Sequence, residues 1–551
     1  MTPSAYVGNA SGGASHQVQA QPSDRAKQIK ERLDRMRSQR LPHEQVWRDC
    51  ADYSYPVRGV GLASEVLPSA NDLQARKAKM LDSTAPDSLR LLASSTLSGL
   101  TPPNSLWFAM DVGQESHDER TWLDESAQTI FENIHAANYD SEAYDGMLDI
   151  GFAGWFVLYI GEGIDSGYAF ELWPLAECFV SSTKGAAGRI DTIYRRFDLD
   201  VSQAITKYGE ANVSQKTREL FKQGKLTDKV CMVLCIEPRA MYVPGALLGR
   251  NKPFAYCVTE IDTQHIVEES GYDEFPCAVA RWNRIPGTPY ATGPMSDALP
   301  DIKSLNEVKR WEFAGAETVI APPLVAVDDG VLNPRNIKLG PRKILVAASA
   351  DNIKPLITGA RVDFGQIVAK DLQASIRKIL LADQLQPQDG PAMTATEVHV
   401  RVQLIRQLLG PLYGRLQSEF LQPLIERCFG IAWRAGVLGK PPETLMQRQY
   451  TVRYLSPLAR AQKMEEVTGI QQFEASLIQK AQIDPTVFDI YDVQGSARHE
   501  SELLGVPQKY IRDERAVAVL QKAHQQAAAA QQQQQVQLAA LARAQPTTTG
   551  A

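Results

Sequence analysis

The sequence lacks any long apolar run. No stretch approaches the roughly 18 to 20 consecutive apolar residues that a membrane-spanning helix requires. Residues 1–22 are rich in Gly, Ser, Ala and Gln and contain no apolar segment of the kind that forms a signal peptide. These absences predict a protein that is made and kept in a cytosol and has no membrane partner.

The sequence also lacks the short motifs of catalysis. It contains no Gly-x₄-Gly-Lys-Ser/Thr phosphate-binding loop, no HExxH zinc motif and no Gly-x-Ser-x-Gly nucleophile elbow. Gly161-Glu-Gly163 has no strand-turn-helix context for a dinucleotide. The histidines stand singly, at His16, His43, His117, His135, His265, His399, His499 and His524. We therefore predict no enzyme, no catalytic residue and no cofactor.

Cysteines are few and do not cluster. The seven are odd in number and mostly embedded in apolar runs, which is typical of small buried side chains rather than of disulfides. Cys231 and Cys235 form a C-x₃-C, but they lie in the apolar run Val230–Ile236, and no paired Cys or His stands nearby at zinc spacing. The sequence predicts a buried strand there and no metal site.

Strong net charge is missing as well. The formal net charge is −6, so any contact with a nucleic acid must be local or transient. With 44% apolar residues and 551 residues in all, the chain predicts two to four globular domains with substantial cores.

What the sequence does contain is a long helical pattern in its second half. Thr394 and Glu397 form a capping-box pattern, and the helix is predicted to run from there to about Ala435. Kinks are expected at Gly410-Pro411 and at Pro423, because proline removes a backbone donor and crowds the preceding turn. The apolar stripe that predicts this helix consists of Val398, Val402, Ile405, Leu409, Leu412, Leu416, Phe420 and Leu424.

Two shorter helices precede it, over 294–317 and 362–382. Their apolar stripes are Leu299, Ile302, Leu305 and Phe313 in the first, and Phe364, Val368, Leu372, Ile376 and Leu380 in the second. Between them, residues 318–361 carry two β-rich runs, Leu324–Val327 and Ile344–Ala347, and more basic than acidic side chains. A segment of that size has little core of its own, so neighbouring copies are expected to complete its packing, which predicts a homo-oligomer.

The flanking regions are mixed. Helices are predicted over 24–55, Leu81–Pro103 (closed by Gly99) and Trp122–Ile150, and strands over 168–290 with one helical piece at Val201–Gln223 and a half-buried strand at Gly188–Phe197. In the first helix, Ile29, Leu33 and Met36 share an apolar face. The basic face of this helix could be an ordinary solvated face or a contact with DNA or a neighbouring subunit. The Ala- and Gln-rich residues 526–551 could extend a helix or stay disordered.

Several ordered motifs resemble those of the head-to-tail connector, or portal, proteins of short-tailed bacteriophages (podoviruses). The resemblance spans about residues 25–510. Its motifs are Leu81–Pro103, Tyr290–Pro294, Ala298–Lys303, Pro322–Asp329, Gly330–Pro334, Thr394–Val398, Leu409–Leu412 and Tyr450–Gln462.

This resemblance implies an α+β fold of the portal type. Its parts would be a disordered tip (1–23), a mixed α/β wing (24–293), two stem helices (294–317 and 362–382), a small β-containing clip (318–361), a tunnel loop (383–393), a long kinked helix that completes the wing (394–455), a crown-like helical region (456–525) and a low-complexity tail (526–551).

The resemblance also implies a function. The chain would form a ring homo-oligomer, a dodecamer, at one capsid vertex, where double-stranded DNA passes without sequence-specific contacts during packaging and ejection. Its partners would be the terminase large subunit, the major capsid and scaffolding proteins, and the tail adaptors. The alternative is a structural scaffold or tail-associated virion protein without a channel, which would not need long helices converging on one axis.

Three sets of residues are candidates for these contacts. The tunnel loop offers hydrogen bonds from glutamines between acidic residues, namely Asp383, Gln384, Gln386, Gln388 and Asp389. Basic residues that could line the channel are Lys303, Lys309, Arg310, Lys370, Arg377 and Lys378. Basic residues that could bind partners at the clip are Arg335, Lys338, Arg342, Lys343 and Lys354.

Overall fold

The computed structural model describes most of the chain. The described residues are 24–63, 70–111, 116–163, 167–185, 188–243, 245, 247–320, 324–326, 353–355, 362–385, 410, 412–445, 451–454, 457–481, 486, 490–504, 506, 511–512 and 514–543. The expected tip at 1–23, most of the expected clip and the first part of the expected long helix lie outside them.

The described part mixes helices and antiparallel strands, as the α+β prediction states. The helices are α1 (Asp24–Asp52), α2 (Ala70–Ala78), α3 (Thr84–Leu100), α4 (His117–Ala136), α5 (Tyr139–Ala153), α6 (Val201–Tyr208), α7 (Gln215–Lys222), α8 (Pro294–Ile320), α9 (Val362–Ile379), α10 (Ala382–Leu385), α11 (Gln422–Arg434), α12 (Pro457–Ala481), α13 (Val493–Leu504) and α14 (Glu514–Arg543). The strands are β1 (Phe108–Asp111), β2 (Trp155–Gly163), β3 (Gly167–Trp173), β4 (Cys178–Ser181), β5 (Thr192–Asp200), β6 (Lys229–Pro238), β7 (Phe254–Glu260), β8 (His265–Tyr272), β9 (Cys277–Arg281), β10 (Asn283–Arg284), β11 (Ala291–Thr292), β12 (Leu324–Ala326), β13 (Ile353–Pro355) and β14 (Thr451–Tyr454).

The chain divides into two compact units. The first takes in Met1–Arg90, Leu148–Tyr159 and Leu172–Asp383, and the second takes in Leu91–Met147, Ile160–Glu171 and Gln384–Ala551. Among the described residues, no helix is both long enough and apolar enough to cross a membrane.

The first unit is built on a five-stranded antiparallel sheet with the order β4-β5-β6-β7-β8. The predicted apolar face of α1 packs on this sheet, where Ile29, Leu33 and Met36 are buried against side chains such as Tyr194 and Val233. Burying an aliphatic side chain of this size contributes roughly 1.5–3 kcal/mol. The basic face of α1 is also partly engaged: Arg32 lies 2.7 Å from Glu237, and Arg25 pairs with Glu269. These pairs hold α1 to the sheet.

Arg40 is the most buried basic side chain of α1, with 2% of its surface exposed. Its guanidinium donates hydrogen bonds to three backbone carbonyls, those of Leu175 (3.0 Å), Ala176 (3.0 Å) and Cys178 (2.6 Å). Its Nε lies 2.6 Å from Oε1 of Glu44. One cation therefore fixes α1 to the turn that precedes β4.

Arg40→Met should destabilise the first unit. The substitution leaves Glu44 and three carbonyls without their donor, and removing one partner of a buried ion pair costs about 3–5 kcal/mol. Urea unfolding followed by tryptophan fluorescence measures the loss. The matched control is Arg35→Met on the exposed side of the same helix, where we expect a change within about 0.5 kcal/mol. Equal stability of the two variants would contradict the anchoring role.

An aromatic cluster in this unit forms around Trp155, the first residue of β2. β2 pairs antiparallel with β9, with Trp155 opposite Arg281. Trp155 contacts Trp47 and Tyr290 with ring centroids 5.5 Å apart in both cases. Gly154 has a φ of +86°, and a Cβ there would lie 2.3 Å from the carbonyl carbon of Thr292, so only glycine fits before β2.

The second unit contains the end of the predicted long helix. Residues 412–416 are helical, Gln417–Leu421 form a π-helical turn, and α11 follows. The N–H of Gln422 donates to the carbonyl of Gln417 across this wider turn. Pro423 comes next and has no N–H, so the turn before it widens instead of breaking. In place of the kink predicted at Pro423, the helix has one π-helical turn just before that proline. Residues 394–409 and Pro411 lie outside the described part.

Two predicted helices are each interrupted in the structure. The helix expected over Trp122–Ile150 is two helices, α4 and α5, because the side chain of Asn138 between them binds the backbone of Phe170 through both its amide N–H (2.7 Å) and its carbonyl (3.0 Å). The piece expected over Val201–Gln223 is also two helices, α6 and α7. Gly209 ends α6 with a φ of +85°, and Ser214 caps α7.

Three other local predictions need correction. Gly99 lies inside α3 rather than at its end, and a Cβ there would come within 2.6 Å of the hydroxyl of Tyr413, so its smallness serves close packing. β5 begins at Thr192, not at Gly188. Phe313 was expected on the packed stripe of its helix, but 58% of its surface is exposed.

The Ala- and Gln-rich tail extends a helix. α14 reaches Arg543, so of the two readings of residues 526–551 the helical one is correct as far as that residue. Nearly all of its described side chains are exposed.

Removing residues 526–551 should leave the melting temperature of the rest unchanged within about 1 °C, because exposed helix ends contribute no packed core. The far-UV circular dichroism signal at 222 nm should fall at the same time, since helical residues are lost. A clear drop in melting temperature would show that the tail packs against the folded units.

Candidate functional site

The candidate site is a helical hairpin made by α8 and α9, both in the first unit. Pro294 starts α8, where its missing N–H costs nothing. Ile302 and Leu305 of α8 are buried, and so are Ala369 and Ile376 of α9. These residues carry the three-and-four spacing from which the sequence predicted both helices.

Polar contacts fix how α8 and α9 align with each other and attach both helices to residues 81 and 82. Ser375 Oγ donates to Asp301 Oδ2 across the two helices at 2.6 Å. Asn306 Oδ1 accepts from the backbone N–H of Leu81 at 2.9 Å, and the amide of Gln373 donates to Asp82 at 2.7 Å. Both helices are therefore tied to the segment that leads into α3.

Three of the candidate channel-lining bases lie in ion pairs within the chain. Lys303 Nζ lies 2.7 Å from Asp49, and this hydrogen bond raises the pKa of Lys303, which therefore stays charged. Lys309 lies 3.0 Å from Glu312, and Arg310 lies 3.1 Å from Glu307. The charge of each is already offset by a carboxylate.

The other three candidate bases lie on the exposed surface of α9. Lys370 and Arg377 are seven residues apart and so share one side of the helix. Lys378 is about a quarter turn further round. α9 thus carries three exposed bases, of which Lys370 and Arg377 share one side, whereas the three candidate bases of α8 are paired with carboxylates.

The start of the predicted tunnel loop is helical. α9 ends at Ile379, Leu381 adopts a φ of +60°, and α10 follows over Ala382–Leu385. A left-handed conformation at a bulky residue is strained, and the burial of Leu380 and Ala382 on either side holds it in place. Of the candidate loop residues, Asp383 is exposed and Gln384 is half-buried in α10. Gln386, Gln388 and Asp389 lie outside the described residues.

Only the base of the predicted clip is described. β12 pairs antiparallel with β13, with Leu324 opposite Pro355 and Ala326 opposite Ile353. The first predicted β-rich run is thus a strand, and Lys354 lies in its partner strand. The second run, Ile344–Ala347, and the candidate bases Arg335, Lys338, Arg342 and Lys343 lie outside the described residues.

Six of the seven cysteines are buried, and Cys231 is half-buried. Burial raises the pKa of Cys50 and of Cys257 to about 11, so both stay protonated at neutral pH. Cys231 Sγ accepts a hydrogen bond from Arg196 at 3.2 Å, and Cys235 is fully buried in β6. Within the described ranges, no group of three or more His, Cys, Asp or Glu side chains could hold a metal ion.

Sequence reasoning missed two apolar side chains on the outside of the hairpin. Trp311 on α8 is 68% exposed and Ile367 on α9 is 59% exposed. The signal that could have found them is their position: each falls off the apolar stripe that predicts its helix.

Comparison with known proteins agrees with the motifs. The family model of the bacteriophage head to tail connecting protein matches residues 26–511. A probable portal protein of Bordetella phage BPP-1 is 26% identical over 503 residues, 89% of this chain and 89% of that protein. The portal protein of Salmonella phage epsilon15 is 26% identical over 512 residues, 88% of this chain and 90% of that protein.

Among solved structures, the neck of an empty GTA particle, computed with C6 symmetry, is matched with a TM-score of 0.35 and 12% identity, over 73% of this chain and 90% of that chain. A similarity of this size supports no inference about the fold. The family match, in contrast, spans most of the chain without interruption and confirms the resemblance inferred from the motifs. The chain belongs to the family of bacteriophage head to tail connecting proteins.

Proposed function

We propose that this chain is a phage portal protein, a virion component that forms a ring at one capsid vertex and conducts double-stranded DNA during packaging and ejection. The observation that carries the proposal is the family match over residues 26–511. The two relatives of similar length bear the name portal protein. The ring is proposed to be a homo-oligomer, as a dodecamer, with one α8–α9 hairpin from each copy around the channel.

The proposed channel steadies DNA without gripping it. A duplex carries one phosphate charge per about 1.7 Å, so a strongly basic wall would act as a brake. The net charge of −6 repels phosphates on average. Lys370 and Arg377, on one exposed side of α9, would supply discrete basic rings. Lys303, Lys309 and Arg310 would contribute less, because each is paired with a carboxylate.

The proposed parts follow the domain scheme of the family. The hairpin is the stem, residues 318–361 are the clip, residues 383–393 are the tunnel loop, and residues 456–525 are the crown-like region. The clip, with Arg335, Lys338, Arg342, Lys343 and Lys354, would dock the terminase large subunit during packaging and the tail adaptors afterwards. Major capsid and scaffolding proteins would contact the wing during assembly in the host cytoplasm. No catalytic activity is proposed, since the motor would supply the energy.

Labelling assembled heads tests this function against a scaffold or tail protein without a channel. The exposed helix α14 accepts a C-terminal tag without disturbing packed residues, and gold particles can mark that tag. Label at a single vertex of each DNA-filled head supports a portal. Label spread over the shell, or confined to detached tails, contradicts it.

A further inference from the structure

The loop between β6 and β7 carries a cluster of exposed apolar side chains. Leu247 is 98% exposed and Met241 is 90% exposed. Tyr242, Val243 and Leu248 are each more than half exposed. These five residues are called the apolar tip. A single exposed leucine needs no explanation, but five such residues within eight positions form an apolar patch of the kind that marks a contact with another molecule.

The base of this loop is held in place by hydrogen bonds. The guanidinium of Arg239 donates to the carbonyls of Gly249 (2.7 Å) and Ser270 (2.9 Å). The N–H of Val243 donates to the carbonyl of Asn251 at 2.9 Å, so the two arms of the loop stay paired beyond the ends of β6 and β7. A partner therefore meets a surface whose base is already ordered, and less conformational entropy is lost when it binds.

The charges of the loop are all positive. Residues 239–253 contain three basic side chains and no acidic one. Arg239 is used within the loop, and Lys252 lies 2.8 Å from Asp273, so both of these charges are engaged. Arg250 is exposed and forms no ion pair with any side chain in the described part of the chain. The loop therefore fits an apolar groove that has a carboxylate at its rim.

The apolar tip is too small to hold two proteins together by itself. A stable interface involves about 20–30 residues on each side, whereas this tip offers five apolar side chains and one free base. In the proposed ring the tip recurs in every copy, and contacts that form together can raise the overall affinity by about 10²–10⁴. The partner that fits is thus a protein present in several copies around the ring.

A lipid surface fits this loop less well. Surfaces that lie in a membrane interface add several Lys and Arg to their apolar side chains, because these bases face anionic headgroups, and here only Arg250 is available. Among the proposed protein partners, the motor and the tail would dock at the clip. A scaffolding protein makes a temporary contact, whereas permanent interfaces are the more apolar class. The shell itself is the remaining partner.

We infer that the apolar tip docks in an apolar groove of the major capsid protein, with Arg250 against a carboxylate at the rim of that groove. This contact rests on the proposed function, in which the ring lies at a capsid vertex. It assigns the attachment of the ring to one loop of the first unit and to six side chains of that loop.

Photo-crosslinking in assembled heads identifies what covers the apolar tip. Tyr242→p-benzoylphenylalanine keeps an aromatic ring at a half-exposed position and inserts into a nearby C–H bond on illumination. We expect a product that joins this chain to the major capsid protein, identified by mass spectrometry. A product between two copies of this chain, or no product at all, would overturn the inference.

Charged substitutions test whether the contact attaches the ring to the shell. Met241→Asp and Leu247→Asp change side chains that are at least 90% exposed, so folding and ring formation should be unaffected. The fraction of heads with a gold-labelled vertex should fall at least about tenfold, since the loss recurs in every copy. Arg250→Glu should cause a smaller fall, and Arg250→Lys should cause none.

The matched control is Ile490→Asp. Ile490 is 81% exposed but lies outside the loop, so this variant should be incorporated like the wild-type chain. Normal incorporation of both tip variants would overturn the inference and leave the portal function standing, because the wild-type chain would still mark a single vertex. Loss of rings in the tip variants would assign the tip to a contact between copies and would overturn it as well.

Two further outcomes separate the remaining alternatives. Flotation of wild-type rings with phosphatidylglycerol vesicles, lost in Leu247→Asp, would assign the apolar tip to a lipid surface and overturn the contact with the shell. A wild-type chain that marks no single vertex would overturn the proposed function together with this contact.

Discussion

Replacing residues 318–361 by a short Gly-Ser linker should give heads that assemble but contain no genome. The contacts that hold the hairpin together, such as Ser375 to Asp301, lie outside the deleted segment and should persist. Glu312 and Gly365 already lie side by side near the end of the hairpin that carries this segment, so a short linker can join the two helices. What the deletion removes is the basic segment proposed to dock the motor and the tail.

The measurement is the DNA content of purified heads, with ring formation by the variant as the control for folding. The truncation of residues 526–551 serves as a second control, because it also removes chain but should not affect packaging. Filled heads from the deletion variant would show that the motor docks elsewhere. Loss of rings would show that packing between neighbouring copies of the segment holds the subunits together.

Changing Gln384, Gln386 and Gln388 to Lys should slow or stall DNA translocation. The proposed loop touches DNA through amide side chains, which form hydrogen bonds without net charge. Lysines there would add phosphate contacts in every subunit of the ring. Each added contact makes the logarithm of DNA affinity fall more steeply with the logarithm of salt concentration, by about 0.9 in the slope. The expected result is slower packaging and ejection, with partial recovery as salt concentration rises.

The matched control is the same triple change to Ala, which removes the amides without adding charge and should cause a much smaller delay. Fluorescence of a dye released with the DNA follows ejection in both variants. Normal rates for the lysine variant over the whole salt range would show that this loop does not face DNA. Asp383 and Gln384 belong to the helical turn α10, but the rest of residues 383–393 follows that turn, so the proposed contact with DNA does not depend on α10.

Periodic patterns predicted much of the fold, and contacts between distant residues caused most of the misses. The stripes of α1 and α8 and the apolar run of β6 identified their elements, since burial on one face leaves a repeat in the sequence. The break between α4 and α5 leaves none, because it depends on Asn138 reaching the backbone of Phe170. For Pro423 the sequence predicted a kink but not its geometry, which is a π-helical turn.

The candidate site shows the same limit. The basic residues of the hairpin were identifiable from the sequence, but the pairing of Lys303 with Asp49 joins positions 254 residues apart, and local spacing cannot reveal such a pair. Trp311 was also invisible to a search for apolar stripes, since it lies where a solvated side chain is expected.

The most direct test of the ring with a central DNA channel is an electron-microscopy image of the purified wild-type chain. We expect end views of closed rings with a central hole wide enough for a DNA duplex, and side views in which the α8–α9 hairpins form a narrow stem. Compact monomers, or closed particles without a central hole, would contradict the account.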